Sequence, residues 1–285
     1  MQSSRRSRSY VDEHKMFIAS RIDLIYAKLE RADKHIRDLD DSIRLFLSNP
    51  IPPYAFRFDV DLNASERTYY VVSAEDVPPD VCAIAGDAIH NLRCALDYLV
   101  WQLVEAAGNI PTIHTSFPIF ENLPKYKAGR DGKIRGVPRD AEELFDAARP
   151  YSGGNDSFWC LHKLNNIDKH RLLIAAGCKG THSSISPLTR ETFGKWQAGD
   201  YSGRPVIRAA GGVGFLVPRD VGNFPLKTGN RLLTVRESEI QQEMHFTFDV
   251  ALNEPGVIKG EPVVPTLRSF ADTVKNLIAG FAPLL

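Results

Sequence analysis

The stretch IASRIDLIYAKLERADKHIRDLDDSIRLF, from Ile18 to Phe46, decides the fold class. Ile18, Ile22, Ile25, Leu29, Ala32, Ile36, Leu39, Ile43 and Phe46 recur at alternating spacings of four and three. That a/d spacing lines apolar side chains along one seam of a helix. Between them stand Arg21, Asp23, Lys28, Glu30, Arg31, Asp33, Lys34, Arg37 and Asp38, a mixed-charge face suited to water. The pattern predicts a helix over 11–48. Pro50, Pro52 and Pro53 end it, because proline has no amide hydrogen to continue the ladder. An apolar seam needs cover, from a helical bundle or from a second copy of the chain. A homodimer through helical faces is therefore an expected partner arrangement.

Downstream of the prolines the period changes to two. Phe56, Phe58, Val60 and Leu62 alternate with Arg57, Asp59 and Asp61, and Thr68–Val72 follows a turn at Asn63-Ala-Ser-Glu66. This reads as a β-hairpin. Pro78-Pro79-Asp80 opens a second long helix over 80–107, closed by Gly108. Residues 109–138 read as loop, 139–148 and 156–168 as helices, and 171–175 as a strand. From 178 to 256 the reading is β and loop, with strands at 206–217 and 231–236 and clean alternation from Met244 to Leu252. Gly211-Gly212-Val213-Gly214 reads there as a bend or bulge. A last helix is expected over 266–281. The class is α+β: long helices with an inserted hairpin and a C-terminal β-rich segment. In outline, 1–10 is a disordered basic tail. Residues 11–285 form a single domain, helical over 11–170 and 266–281, with a β-rich insertion at about 171–256.

Composition narrows function. There are 35 Lys+Arg against 35 Asp+Glu in 285 residues, so the formal net charge is zero. That argues against a protein that coats polyanions wholesale and leaves room for a local basic patch. No stretch reaches the roughly 18 apolar residues that span a bilayer, and the basic start is followed by no apolar signal region. No membrane partner is expected. Cys82, Cys94, Cys160 and Cys178 form no C-x-x-C pair, which suits reduced thiols in the cytoplasm. The Asn63-Ala-Ser65 sequon reads as a turn rather than a glycosylation site. Phosphate-binding glycine loops, a G-x-S-x-G elbow and an H-E-x-x-H pair are absent from the sequence.

Two polar motifs carry what chemistry there is. In the first, Asp87, His90, Asn91, Cys94, Asp97, Tyr98 and Trp101 fall near one side of the second long helix, with Arg93 one step off. Such a stripe on so apolar a helix is costly to bury unless paired. It is a satisfied network, with Asp97 holding Arg93 or His90, or it is a site. As a site, His90 and Arg93 supply acid/base or phosphate-contact chemistry. Asp87 and His90 alone do not make a metal site, so neither a metal nor a cofactor is expected. The second motif runs from Phe158 to Arg171 and includes His162, Asn165, Asp168, Lys169, His170 and Arg171. Its terminal cations suit a helix C-terminus. Charge complementarity between the motifs places Asp87 or Asp97 opposite Lys169, His170 or Arg171.

Together, His90-Asn-Leu-Arg93-x-Ala-Leu-Asp97-x-Leu99, Phe117-Pro-Ile119 and Trp159-x-Leu-His162-x-Leu-x-Asn166-x-Asp168-Lys-His-Arg171 resemble a widespread bacterial family to which no activity is attached. The resemblance covers about 55–178. A second resemblance is to HEPN proteins, through their Arg-x(4–6)-His pattern. Arg93 matches the arginine, and Tyr98 stands at the histidine's position. HEPN proteins are helical bundles, often dimeric, and many are metal-independent ribonucleases of toxin and phage-defence systems. This resemblance implies RNA as a partner, with Arg93 on phosphate and His90, His162 or His170 moving protons. The contrasting expectation is a non-catalytic interaction or nucleic-acid-associated protein in which Asp87, Asn91, Asp97, Tyr98, Asn165, Asp168, Lys169 and Arg171 bind or brace.

Overall fold

A computed structural model describes residues 20–184, 206–209, 212–215, 224–239 and 245–285. The basic tail, Ile18 and Met244 lie outside the described residues. The elements run α1 (Arg21–Leu47), β1 (Tyr54–Asp61), β2 (Glu66–Ala74), α2 (Pro79–Ala106), α3 (Leu123–Lys133), α4 (Arg139–Ala148) and α5 (Asp156–Asp168). There follow β3 (Ala175–Ser184), β4 (Val206–Ala209), β5 (Gly212–Phe215), β6 (Arg231–Arg236), β7 (His245–Glu254), β8 (Ile258–Pro262) and α6 (Val263–Phe281). The class is α+β, with long helices beside two antiparallel sheets. No helix among the described residues is long and apolar enough to cross a membrane.

The chain divides into two compact units, and α1, α2, α5 and α6 each contribute to both. The first takes residues up to 31, 91–159 and 273–285. Its centre is a chain of rings: Phe117 stacks near Phe145 and Phe158 at 5.6 and 5.5 Å, and Phe145 meets Phe281 at 4.7 Å. Ile25, Leu29, Leu96, Leu99, Val100, Leu103 and Ile278 are fully or almost fully buried. Phe117 is held by its backbone as well as its ring.

The second unit takes 32–90 and 160–272. One sheet has the order β1-β2-β6, the other β4-β5-β3-β7-β8. The expected hairpin thus gains a third strand from far along the chain, with Tyr69 opposite Leu233 and Thr68 opposite Thr234. The two threonine hydroxyls meet at 3.0 Å. Aromatic rings join the sheets: Phe246 on β7 lies 4.9 Å from Phe56 and 5.3 Å from Tyr69, and Tyr54 lies 5.4 Å from Phe248. Gly177 makes room for this, since a Cβ there would overlap the Tyr54 ring.

The heptad seam is buried within the chain from Ile25 to Phe46, so its cover is intramolecular. The helices at 139–148 and 156–168 match the sequence reading, as does the strand at 231–236. Three segments differ. Residues 123–133, read as loop, form α3. Its apolar periodicity is weak, with Tyr126 the buried side chain, and it starts on local chemistry instead: Asn122 Oδ1 accepts from Lys125 N, and a proline sits in the first turn. The strand expected at 171–175 begins only at Ala175. Before it, the Ile174 amide donates to the Glu254 carboxylate at 2.6 Å rather than to a ladder partner. Of the run Gly211–Gly214, read as a bend or bulge within the strand region 206–217, Gly212–Gly214 lie in strand β5, paired with β4; Gly211 lies outside the described residues.

Candidate functional site

Each unit holds part of the polar motifs. In the first unit, Arg93 is 6 % exposed on α2. Its Nη1 donates to Asp97 Oδ1 at 2.6 Å, one helical turn on, and its Nη2 donates to the Phe117 carbonyl at 3.2 Å. Asp97 Oδ1 also accepts from the Phe117 amide at 2.8 Å. The pair therefore grips both backbone groups of Phe117, the residue whose ring enters the aromatic chain. The Phe117-Pro118-Ile119 segment belongs to no strand; the clasp supplies the partner of the Phe117 amide, and the Phe117 carbonyl accepts from Ile119 N at 2.9 Å as well as from Arg93. Asn91 is buried beside it in sequence. Tyr98 is exposed, with Lys28 Nζ 5.6 Å from its ring centre.

In the second unit, α2 and α5 meet through Gly86, Asp87 and His90 on one side and Asn165 and Asp168 on the other. His90 Nδ1 lies 3.2 Å from Asn165 Oδ1, which is buried. The Asp168 carboxylate packs so closely on Gly86 that a Cβ there would overlap it. Burial pushes the Asp168 carboxyl above the ordinary 3.8, the neighbouring charge of Asp87 pushes the same way, and His90 offsets part of the rise. Asp87 and His90 are exposed, so this is an open acidic pair with a histidine beside it. Asp87 is close enough to Asp168 for its charge to act on it, while Arg171 of the expected cations pairs with Glu254.

The rest of the second motif is spread out. Asn166 Nδ2 donates to His162 Nε2 at 3.1 Å within α5. Lys169 and His170 are exposed at the helix end, where the His170 amide donates to the Ile167 carbonyl. Arg171 turns to Glu254 at the end of β7, donating from Nη1 at 3.0 Å and Nη2 at 2.7 Å. Glu254 is 1 % exposed and takes the Ile174 amide as well.

Glu254 was missed from sequence, although a signal existed. The inward positions of β7 at Phe246, Phe248, Val250 and Leu252 continue with even spacing to a carboxylate, which a buried face does not tolerate without a cation. Among the described residues no group of three or more His, Cys, Asp or Glu side chains is placed to hold a metal ion. Compared with family models, with curated proteins and with solved structures, the chain matches none.

Proposed function

We propose that the chain is a non-catalytic interaction protein, associated with nucleic acid rather than cleaving it, in which the two polar motifs act as ties between elements. The observation that carries this reading is the state of Arg93. Its guanidinium is buried and committed to Asp97 and to the Phe117 carbonyl, whereas an arginine that meets RNA phosphate must present its fork to solvent. Tyr98 at the HEPN histidine position supports the same reading, because a phenol is a poorer proton shuttle near neutral pH than an imidazole. All four cysteines are free thiols, which fits a cytoplasmic setting.

The alternative is a HEPN-like metal-independent ribonuclease of toxin or phage-defence type. It draws support from the exposure of His90 next to Asp87 and Asp168. An RNA cleavage assay in the presence of a chelator separates the two. The interaction reading expects intact RNA at protein concentrations that shift its mobility in a gel. Metal-independent cleavage that disappears in His90→Ala would replace it with the enzyme reading.

A further inference from the structure

α3 contributes to two clefts in the first unit, one whose lining charges balance and one whose lining is cationic. One is lined by Tyr126, Arg130, Asp131 and Asp146 among others. There the arginine is neutralised three times over, by Asp131 at 2.9 Å, Glu142 at 3.2 Å and Asp146 at 2.9 Å. The other, of about 560 Å³, is lined by Thr112, Ile113, His114, Ser116, Gly129, Gly132, Lys133 and Arg135. No carboxylate is in that lining. It has an arginine, a lysine, a histidine and two hydroxyls.

We propose that this second cleft binds a phosphoryl group, with Lys133 and Arg135 as its cationic contacts and Thr112 as a hydroxyl donor, the Ser116 hydroxyl being donated to the His114 carbonyl. The inference does not depend on the reading of the two motifs given above. Lys133 is the anchor. It is half-buried, its Nζ donates to Ser116 Oγ at 3.2 Å, and it lies 5.5 Å from the Phe120 ring centre. An ammonium has three donors, so donors remain after Ser116 for an anion. Burial, and then the charge of Arg93, depress its pKa, with Asp97 offsetting part. A cation held in that setting gains most from an incoming anion. Arg135 is exposed and has no ion pair among the described residues, so its planar fork is available for a bidentate contact. Gly129 and Gly132 put no side chain on the α3 wall, and nothing lies within 4 Å of where a Cβ of Gly132 would be. Ile113, 95 % exposed, offers an apolar flank to whatever organic group bears the phosphate.

The phosphate could belong to a small phosphorylated compound or to a nucleic-acid backbone, and two probes distinguish these. Titration calorimetry with inorganic pyrophosphate is run first, on the full chain. Anisotropy with a labelled single-stranded RNA, competed by pyrophosphate, is run second. The variants are Arg135→Glu and Lys133→Gln, with Arg139→Ala as an exposed cation outside the lining. Pyrophosphate binding should saturate, and weaken about tenfold or more in Arg135→Glu and in Lys133→Gln. Arg139→Ala should bind like the parent. RNA that binds and is displaced by pyrophosphate assigns the cleft to a backbone; pyrophosphate binding without RNA binding assigns it to a small ligand. Arg135→Glu alters only an exposed side chain, so loss of folding does not confuse the result. A parent that binds neither probe saturably, or variants that bind both as tightly as the parent, would overturn the proposal.

Discussion

Arg93 and Arg171, one in each polar motif and one in each unit, form ion pairs of opposite build. In the first unit the cation is the buried member: the Arg93 side chain is 7 % exposed and that of Asp97 38 %. In the second unit the anion is the buried member: Glu254 is 1 % exposed and Arg171 48 %. Both pairs do the same work. In each the carboxylate accepts from a backbone amide that has no strand partner, that of Phe117 in one case and that of Ile174 in the other. The contrast teaches that the exposure of a charged residue is a poor guide to what its removal does. The penalty follows the burial of the partner left behind.

The largest effect should therefore come from the exposed arginine. Arg171→Ala strands the Glu254 carboxylate in the core and is expected to cost ~3–5 kcal/mol in urea unfolding. Adding Glu254→Gln should recover a good part of that loss by removing the stranded charge. Equal stability of Arg171→Ala and the parent would break the comparison. Asp97→Ala comes next. It strands Arg93 and the Phe117 amide together, with an expected loss of ~2–3 kcal/mol, more than a typical surface substitution.

A smaller effect tests the contact between α2 and α5. Gly86→Ala should destabilise by ~1 kcal/mol, since the new Cβ meets the Asp168 carboxylate. In an Asp168→Ala background the same change should instead stabilise by up to ~1 kcal/mol, the helix-propensity gain of alanine over glycine. That reversal of sign in a double-mutant cycle is the check; additive effects would mean that the two residues do not touch.

The smallest effect is a pH dependence. The Asp168 carboxyl titrates above its unfolded value, raised by burial and by Asp87. A group raised in this way favours folding below its unfolded pKa, and that contribution is lost as pH rises through the folded pKa. Asp168→Asn should therefore be more stable than the parent at neutral pH, and the gain should shrink as pH is lowered toward about 4. Melting temperatures of the two proteins across that range decide it. A gap that widens on acidification would reverse the sign, against burial and Asp87 as causes of the rise.

The helical part of the fold was legible because period 3.6 survives wherever a helix buries one face. The seam from Ile25 to Phe46 and the apolar side of α2 are of this kind. α3 was not legible, because it is fixed by an asparagine cap and a proline rather than by an apolar stripe. The third strand of the hairpin sheet was not legible either. The pairing of Tyr69 with Leu233 joins residues far apart in sequence, and no local pattern encodes a partner. Of the site, the residue types in the two motifs were visible as groups in need of partners. Which partner each found was decided by Phe117, Glu254 and Gly86, two acting through backbone or absent side-chain atoms and one lying at the far end of a β-strand.

In the proposed function Arg93 is a tie and not a phosphate contact, and Arg93→Lys distinguishes the two roles. Lysine keeps the charge and loses the fork that reaches Asp97 and the Phe117 carbonyl at once. Equilibrium unfolding in urea should show Arg93→Lys less stable than the parent by ~1–3 kcal/mol, with the slope against urea unchanged. A variant as stable as the parent, from a parent that cleaves RNA without metal and loses that cleavage on the substitution, would make Arg93 a phosphate contact instead.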